Sequence, residues 1–305
     1  MTWGRDTSPD QATKQLAAFT EAGGTLVDTA DVYADGDSER LIGVLLGDVV
    51  ARDQIVLATK AVAHRTDGPF GGGASRGALL TALEGSLRRL NVDHIDLWQL
   101  HAWDAATPIE ETLAAVDTAV GSGKVRYVGV SNYTGWHLGT AATLQRATPG
   151  HTAIISNQVE YSLLERGIER EVVPAAEHHG IGLLPWAPLG RGVLTGKYRN
   201  GTPADSRGAC SHLAPYVEQH RTERSARIVQ AVATAAEGLG TSPLAVALAW
   251  VRDRPGVVAP VVGARDATQL HGSLAAEDLV LPPAIRAALD DVSRIELGYP
   301  ERPLV

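Results

Sequence analysis

The sequence predicts an α/β protein in which parallel strands alternate with helices and close into a barrel. Three observations predict it. Short runs rich in Val, Ile and Leu recur along the chain, several of them apolar on both faces, as strands of a parallel sheet covered by helices must be. The runs end at residues 28, 60, 101, 131, 158, 186 and 262, and the first five intervals, 27 to 41 residues long, each hold one strand and one helix. No GxGxxG follows the first strand, which counts against the rival architecture, a doubly wound dinucleotide-binding sheet. Gly71-Gly72-Gly73 opens no strand–helix turn of that kind. The regular beat therefore points to a (β/α)8 TIM barrel.

Each element has a local reason. Ser8-Pro9 opens a first helix, with Gln11 at its third position and Gly23 at its end. Strand Thr25–Asp28 follows. Ser38 is expected to cap ERLIGVLL, and Ser75 to cap RGALLTALEGSLRRL, on either side of strand Ile55–Lys60. After strand Ile95–His101, Thr107-Pro108-Ile109-Glu110 reads as a capping box with proline at the first helical position. Strands Val125–Ser131, Ile154–Val159 and Ile181–Trp186 continue the repeat. Ala187 to Arg221 is a long loop of the functional or mobile kind, succeeded by helices near 222–237 and 242–252. Strand Val257–Val262 is the seventh, one short of a closed barrel, and Pro282 to Ser293 is an extra C-terminal helix outside the repeat.

A chain of 305 residues, 44% hydrophobic, fills one barrel domain over 1–305. Its net charge of −8 argues against a nucleic-acid partner. The single cysteine, Cys210, allows no intrachain disulfide and has no CxxC or Cys/His cluster beside it, so no metal site is expected there. The segment MTWGRDTSPD lacks the pattern of a signal peptide, and no apolar stretch reaches membrane-span length, so a cytoplasmic location without membrane attachment is expected.

The strand ends collect polar residues: Asp28, Lys60, His101, Ser131-Asn132, Gln158 and Trp186. In a TIM barrel all of them share the rim where active sites form. Asp28 and Lys60 come from neighbouring strands, Tyr33 lies in the loop above them and His101 closes a third side. Such a set suits a tyrosine acid. A free phenol has a pKa near ~10 and is a slow donor at neutral pH. A lysine cation stabilises the phenolate, an aspartate holds the lysine, and a neutral histidine shares a hydrogen bond with a substrate oxygen. Taken one at a time, the same residues also suit a buried ion pair, a loop aromatic and a satisfied core histidine.

The motifs DTADVY (Asp28–Tyr33), ATK (Ala58–Lys60), DLWQLH (Asp96–His101), GKVRYVGVSNY (Gly123–Tyr133), NQVEYS (Asn157–Ser162), APLGRGVLTGKY (Ala187–Tyr198) and VVGARDATQL (Val261–Leu270) resemble the aldo-keto reductases. They run in the family's order and spacing from about residue 2 to 295, nearest to a bacterial group related to potassium-channel β subunits. The resemblance implies NADP(H) bound without a Rossmann motif. Tyr33 would be the proton donor, Lys60 and Asp28 its tuning pair, and His101 the residue that orients a small-molecule carbonyl substrate. Ser131, Asn132 and Gln158 would hold the nicotinamide carboxamide, with Trp186 stacked on the ring. Leu189, Gly190 and Gly192 would cover the pyrophosphate. Gly263, Ala264, Arg265 and Gln269 would hold the adenosine phosphate, Arg265 favouring a 2′-phosphate through its planar fork.

Two positions depart from the pattern and one retained residue is informative. Ser273 stands where the family often has asparagine, which weakens the adenine contact. Met1-Thr2-Trp3-Gly4 aligns with the end of the family's first barrel strand, so the barrel is expected to lack the N-terminal hairpin and that strand. His101 stands where relatives that reduce carbon–carbon double bonds carry glutamate, so carbonyl reduction is implied. The alternative is a cofactor-binding regulatory subunit like the channel β subunits. A metal-dependent barrel hydrolase is disfavoured, since no HxH follows the first strand. The loops Ala63–Ala74 and Thr195–Gln219 are expected to shape the substrate pocket.

Overall fold

The computed structural model describes residues 2–63, 67–68, 70–204, 206–211, 213–299 and 301. Parts of both loops expected to shape the substrate pocket lie outside these, as does Met1. The chain divides into two units: Met1–Gln158 with Ala175–Gly182 and Gly263–His271, and Val159–Pro174 with Leu183–Val262 and Gly272–Val305.

In the first unit the order is α1 (Pro9–Glu21), β1 (Leu26–Asp28), α2 (Asp37–Leu45), β2 (Val56–Ala61), α3 (Arg76–Leu90), β3 (Ile95–Leu100), α4 (Ile109–Gly121), β4 (Val125–Ser131), α5 (Gly135–Ala147) and β5 (Ile154–Glu160). These strands are parallel neighbours in chain order, with Asp28 beside Ala58, Lys60 beside Gln99, Gln99 beside Gly129 and Ser131 beside Gln158. Sequential parallel pairing is what one-helix crossovers produce. Leu57, Leu79, Leu83, Ile95, Trp98, Val116, Val130 and Leu138 are buried in this unit.

After β5 come α6 (Val172–His179), β6 (Gly182–Trp186), α7 (Ala214–Glu218), α8 (Glu223–Gly238), α9 (Pro243–Arg252), α10 (Ala267–Leu274) and α11 (Pro283–Val292). The second unit has its own core of Tyr161, Leu163, Leu194, Val217, Ile228, Val232, Trp250, Leu281 and Leu289. No single helix among the described residues is long and apolar enough to cross a membrane; α8 and α9 pass that test only as a pair bent by 102°.

Six of the seven expected strands form within two residues of their expected bounds. The seventh, Val257–Val262, is reduced to a bridge from Val257 to Leu183 and a Val261 N–H bond to the Pro185 carbonyl. Pro260 has no N–H to give a ladder. No strand precedes β1 among the described residues; Trp3 forms only a local bridge with Thr7.

Helix starts follow the sequence except at two sites. Ser8 and Ser75 cap α1 and α3, accepting from the Gln11 and Ala78 N–H groups. Ser38 does not cap α2. Gly36 takes the left-handed conformation and starts the helix early, so Ser38 is buried inside it and accepts from the Thr29 hydroxyl at 2.9 Å. The expected capping box at Thr107 does not form either. Pro108 occupies the cap, and the Thr107 hydroxyl donates to Asp104 Oδ2 at 2.8 Å. Asp104 also accepts from the Ala74 and Ala106 N–H groups, so it ties the loop after β3 to the start of α3.

Candidate active site

Parallel register sets the first contacts. Asp28 pairs with Ala58, so Lys60 lies two residues further along β2 on the same face, close enough to reach back. Lys60 Nζ donates to Asp28 Oδ2 at 2.5 Å and to the Thr29 carbonyl at 2.7 Å, with its side chain 0% exposed. The other Asp28 oxygen accepts from Gln99 Nε2 and Gln158 Nε2, each at 3.0 Å. Asp28 is thus the hub of a buried polar set drawn from β1, β2, β3 and β5.

Tyr33 enters from the loop after β1. Ala34 and Asp35, immediately behind it, have φ of 49° and 52°, and Gly36 has φ of 89°. Two non-glycine residues in the left-handed region cost about 1–2 kcal/mol each. That cost bends the chain sharply after the phenol. Val62 (φ 96°) and Asn132 (φ 58°) repeat the pattern beyond β2 and β4, so backbone strain gathers around the same strand ends.

Lys60 Nζ sits 5.1 Å from the centre of the Tyr33 ring. The His101 ring meets the Tyr33 ring edge-on at 5.9 Å. Burial raises the Tyr33 phenol above its ordinary range, and the charge and hydrogen bond of Lys60 act against that rise. The sequence suggests a phenol lowered by its lysine; in the structure desolvation is the larger influence. For Lys60 burial acts to lower the pKa, but the attractions of Asp28 and Tyr33 outweigh it and the ammonium is held above its usual range. Burial, and then the Lys60 charge, push His101 down to about 4, so it is neutral at physiological pH. His101 Nδ1 is buried without a hydrogen-bond partner.

Ser131 and Asn132 lie beside this cluster. Ser131 Oγ donates to the Gln158 carbonyl at 2.8 Å, and Asn132 Nδ2 donates to the His101 carbonyl at 3.0 Å and to Ser131 Oγ at 3.1 Å. Seven residues that the sequence nominates therefore stand together: Asp28, Tyr33, Lys60, His101, Ser131, Asn132 and Gln158. Gln99 joins them unannounced. The signal was present, because Gln99 interrupts an apolar strand two residues before His101, on the same face.

The other nominated residues belong to two further segments of the chain. Gly263, Ala264 and Arg265 lead into α10, which carries Gln269; the Arg265 N–H donates to Gln269 Oε1 at 3.2 Å and the Gln269 N–H to Asp266 Oδ1 at 2.8 Å. In the second unit, Trp186 ends β6 with the Arg191 guanidinium 5.1 Å over its ring. After Leu189, residues Gly190, Arg191 and Gly192 take φ of 53°, 57° and 93°, a run of left-handed backbone. A Cβ on Gly190 would lie 2.5 Å from Leu164 Cδ1, so a larger residue there would push that side chain aside besides straining φ.

Several features fit a nicotinamide cofactor. Within the first unit, the orphaned Nδ1 of His101 and the amide and hydroxyl groups of Ser131, Asn132 and Gln158 are the polar types that a nicotinamide carboxamide requires.

The family model described as the Aldo/keto reductase family matches residues 1–294. The chain is 36% identical to an uncharacterized oxidoreductase, YrpG, of Bacillus subtilis, over 96% of this chain and 90% of the relative. It is 33% identical to a probable aryl-alcohol dehydrogenase, AAD4, of Saccharomyces cerevisiae, over 95% and 90%. It is 31% identical to a probable voltage-gated potassium channel subunit beta of Oryza sativa, over 99% and 92%.

Proposed function

Because the chain belongs to the aldo/keto reductase family, we propose that it is an NADP(H)-dependent reductase of aldehydes or ketones in which Tyr33 supplies the proton. One observation carries this reading: a fully buried Lys60, ion-paired to Asp28 at 2.5 Å, lies against the Tyr33 ring beside a neutral His101.

The cofactor, when bound, supplies the hydride. The chain's own groups supply the rest. The Tyr33 hydroxyl donates its proton to the substrate oxygen as charge builds there. Lys60, kept cationic by Asp28, stabilises the phenolate left behind. Gln99 and Gln158 saturate the second Asp28 oxygen, so the carboxylate stays fixed while the lysine responds. His101, uncharged, shares a hydrogen bond with the substrate oxygen without competing as an acid. Burial of the set excludes water, which strengthens each of these interactions.

Ser131, Asn132 and Gln158 are proposed to hold the carboxamide, and Gly263, Ala264, Arg265 and Gln269 the adenosine phosphate. Trp186, Leu189, Gly190 and Gly192 keep the cofactor roles that the resemblance gives them. We read residues 1–305 as one catalytic domain on a barrel of the TIM type, acting in the cytoplasm on a small-molecule carbonyl.

The test is NADPH oxidation across aldehydes, ketones, quinones and sugars, with NADH as comparison. Tyr33→Phe is expected to lower turnover about 10²–10⁴-fold while cofactor quenching of tryptophan fluorescence persists. Unchanged turnover in that variant removes Tyr33 from the mechanism. A regulatory-subunit reading draws on the similarity to the rice channel subunit; tight cofactor binding with no turnover on any carbonyl favours it.

A further inference from the structure

One buried acid beside the site has no place in that mechanism. Asp31 lies two residues before Tyr33 and is 2% exposed. Its backbone N–H donates to the Lys60 carbonyl at 3.2 Å, so it is fixed to the strand that carries the lysine. Its Oδ1 has no hydrogen-bond partner. Four charged or titratable groups face it: Glu39 from α2, Arg89 from α3, Lys60 from β2 and Tyr33 from its own loop.

The hydrogen bonds decide how charge is shared in this set. Glu39 is 0% exposed and takes the Arg89 Nε–H at 2.6 Å on one oxygen and the Thr59 hydroxyl at 2.6 Å on the other. The arginine's direct bond therefore goes to Glu39. Lys60 spends its two short bonds on Asp28 and Thr29. Two buried carboxyl groups share one nearby arginine, and Asp31 is the one it does not pair with. A buried carboxylate without an ion-pair partner takes up a proton instead.

We infer that Asp31 is a positioning residue for proton donation by Tyr33: as the neutral acid it leaves Asp28 the single carboxylate acting on the Lys60–Tyr33 pair, and when ionised it weakens Tyr33 as an acid. The charge on Asp31 acts through space on both members of that pair, and a second negative charge disfavours the phenolate that forms as the proton leaves. Burial, followed by the Glu39 charge, lifts Asp31 to about 7, against the pull of Arg89, the Val32 N–H and Lys60. The change of state therefore falls inside the working range of pH.

The inference rests on Tyr33 being the proton donor, so the experiment separates the two. The kcat/KM for aldehyde reduction is measured from about pH 5 to about pH 9 in the wild type, Asp31→Asn and Tyr33→Phe, since that ratio reports groups of the free enzyme. The wild type is expected to lose activity on a limb centred near pH 7, where the raised Asp31 carboxyl ionises. Asp31→Asn should match it at the acid end, lack that limb, and exceed it about threefold at the alkaline end, as a modest weakening of a donor acid implies. A limb of the same midpoint and depth in Asp31→Asn overturns the inference. Tyr33→Phe with undiminished turnover overturns the donor reading instead, whatever Asp31 does. Should Asp31→Asn not fold, Asp31→Thr takes its place. Failure of both to fold also overturns the inference, because a site that holds a neutral acid must accept a neutral side chain.

Discussion

At the carboxyl ends of β1 to β5, charged and amide side chains are buried and joined to one another. Towards the amino ends of β2, β4 and β5, one large apolar side chain apiece is left in the open. Asp28, Lys60, Gln99 and Gln158 belong to the first group, tied together by bonds of 2.5 to 3.0 Å. Val56, Tyr127 and Ile155 belong to the second, with 41%, 57% and 41% of their surface exposed. A strand set shaped by stability alone would do the reverse, since burying a charge is costly and burying an apolar ring is favourable. The inversion marks the carboxyl ends as the place where stability is given up for chemistry. Whatever breaks one end should therefore be felt in both stability and turnover, and whatever alters the other in neither.

The harshest way to test that contrast is to remove the hub. Asp28→Ala leaves Lys60 buried without its counter-ion and strands two glutamine amides. Breaking one partner of a buried pair costs about 3–5 kcal/mol. Urea unfolding of Asp28→Ala should show a loss of that order, along with lost carbonyl reduction. A stable, active variant would mean that the polar cluster is incidental.

Solution pH sharpens the contrast next, because two groups near the hub are held away from their ordinary ionisation in opposite senses. His101 is depressed from 6.5 to about 4. Its contribution is present above pH 6.5 and is lost as pH falls through 4. Asp31 is raised from 3.8 to about 7. Its contribution is present below pH 3.8 and is lost as pH rises through 7. Each is on the order of 3–4 kcal/mol by linkage. His101→Gln should therefore flatten the acid side of a plot of Tm against pH, and Asp31→Asn the neutral side. Parallel curves for wild type and variants would contradict both assignments.

The comparison also separates what the sequence could say from what it could not. Asp28, Lys60, His101 and Gln158 were legible because each is a polar residue closing an apolar run, and parallel strands in chain order carry such residues to one end. Gln99 lies one residue inside the end of β3 rather than closing its apolar run, and only its two-residue spacing from His101 places it on the same face. The Glu39–Arg89 pair was not legible, because nothing local announces a bond between residues 50 apart in the chain. The caps at Ser38 and Thr107 failed for a different reason. Cap propensity assumes a free side chain, and the Ser38 hydroxyl was already engaged with Thr29 while the Thr107 hydroxyl was drawn to Asp104.

A milder substitution probes how tightly the carboxyl-end cluster is packed. A Cβ on Gly129 would lie 2.2 Å from Ser156 Oγ and 3.2 Å from Gln99 Cγ. Gly129→Ala should therefore displace Gln99 from Asp28 and cost about 1–3 kcal/mol, the usual cost of overpacking. Thermal melting reads the first effect. The second should appear as reduced kcat with little change in cofactor affinity. If Gly129→Ala melts like the wild type, the space around Gln99 is looser than these distances allow.

The smallest effect belongs to the amino ends. Tyr127 is the third residue of β4, exposed in spite of its size. Its register neighbour on β3 is Leu97, which is buried. Tyr127→Thr keeps a strand-favouring residue and removes an exposed ring, so stability should move by no more than about 0.5 kcal/mol. Carbonyl reduction should not move at all, because Tyr127 stands four residues before Ser131 on the same strand and makes none of the bonds that fix Asp28. Urea unfolding and steady-state turnover measured together decide the point. A loss of several kcal/mol would show that this ring is covered in solution, and the two ends of the strands would then differ in their chemistry but not in their burial.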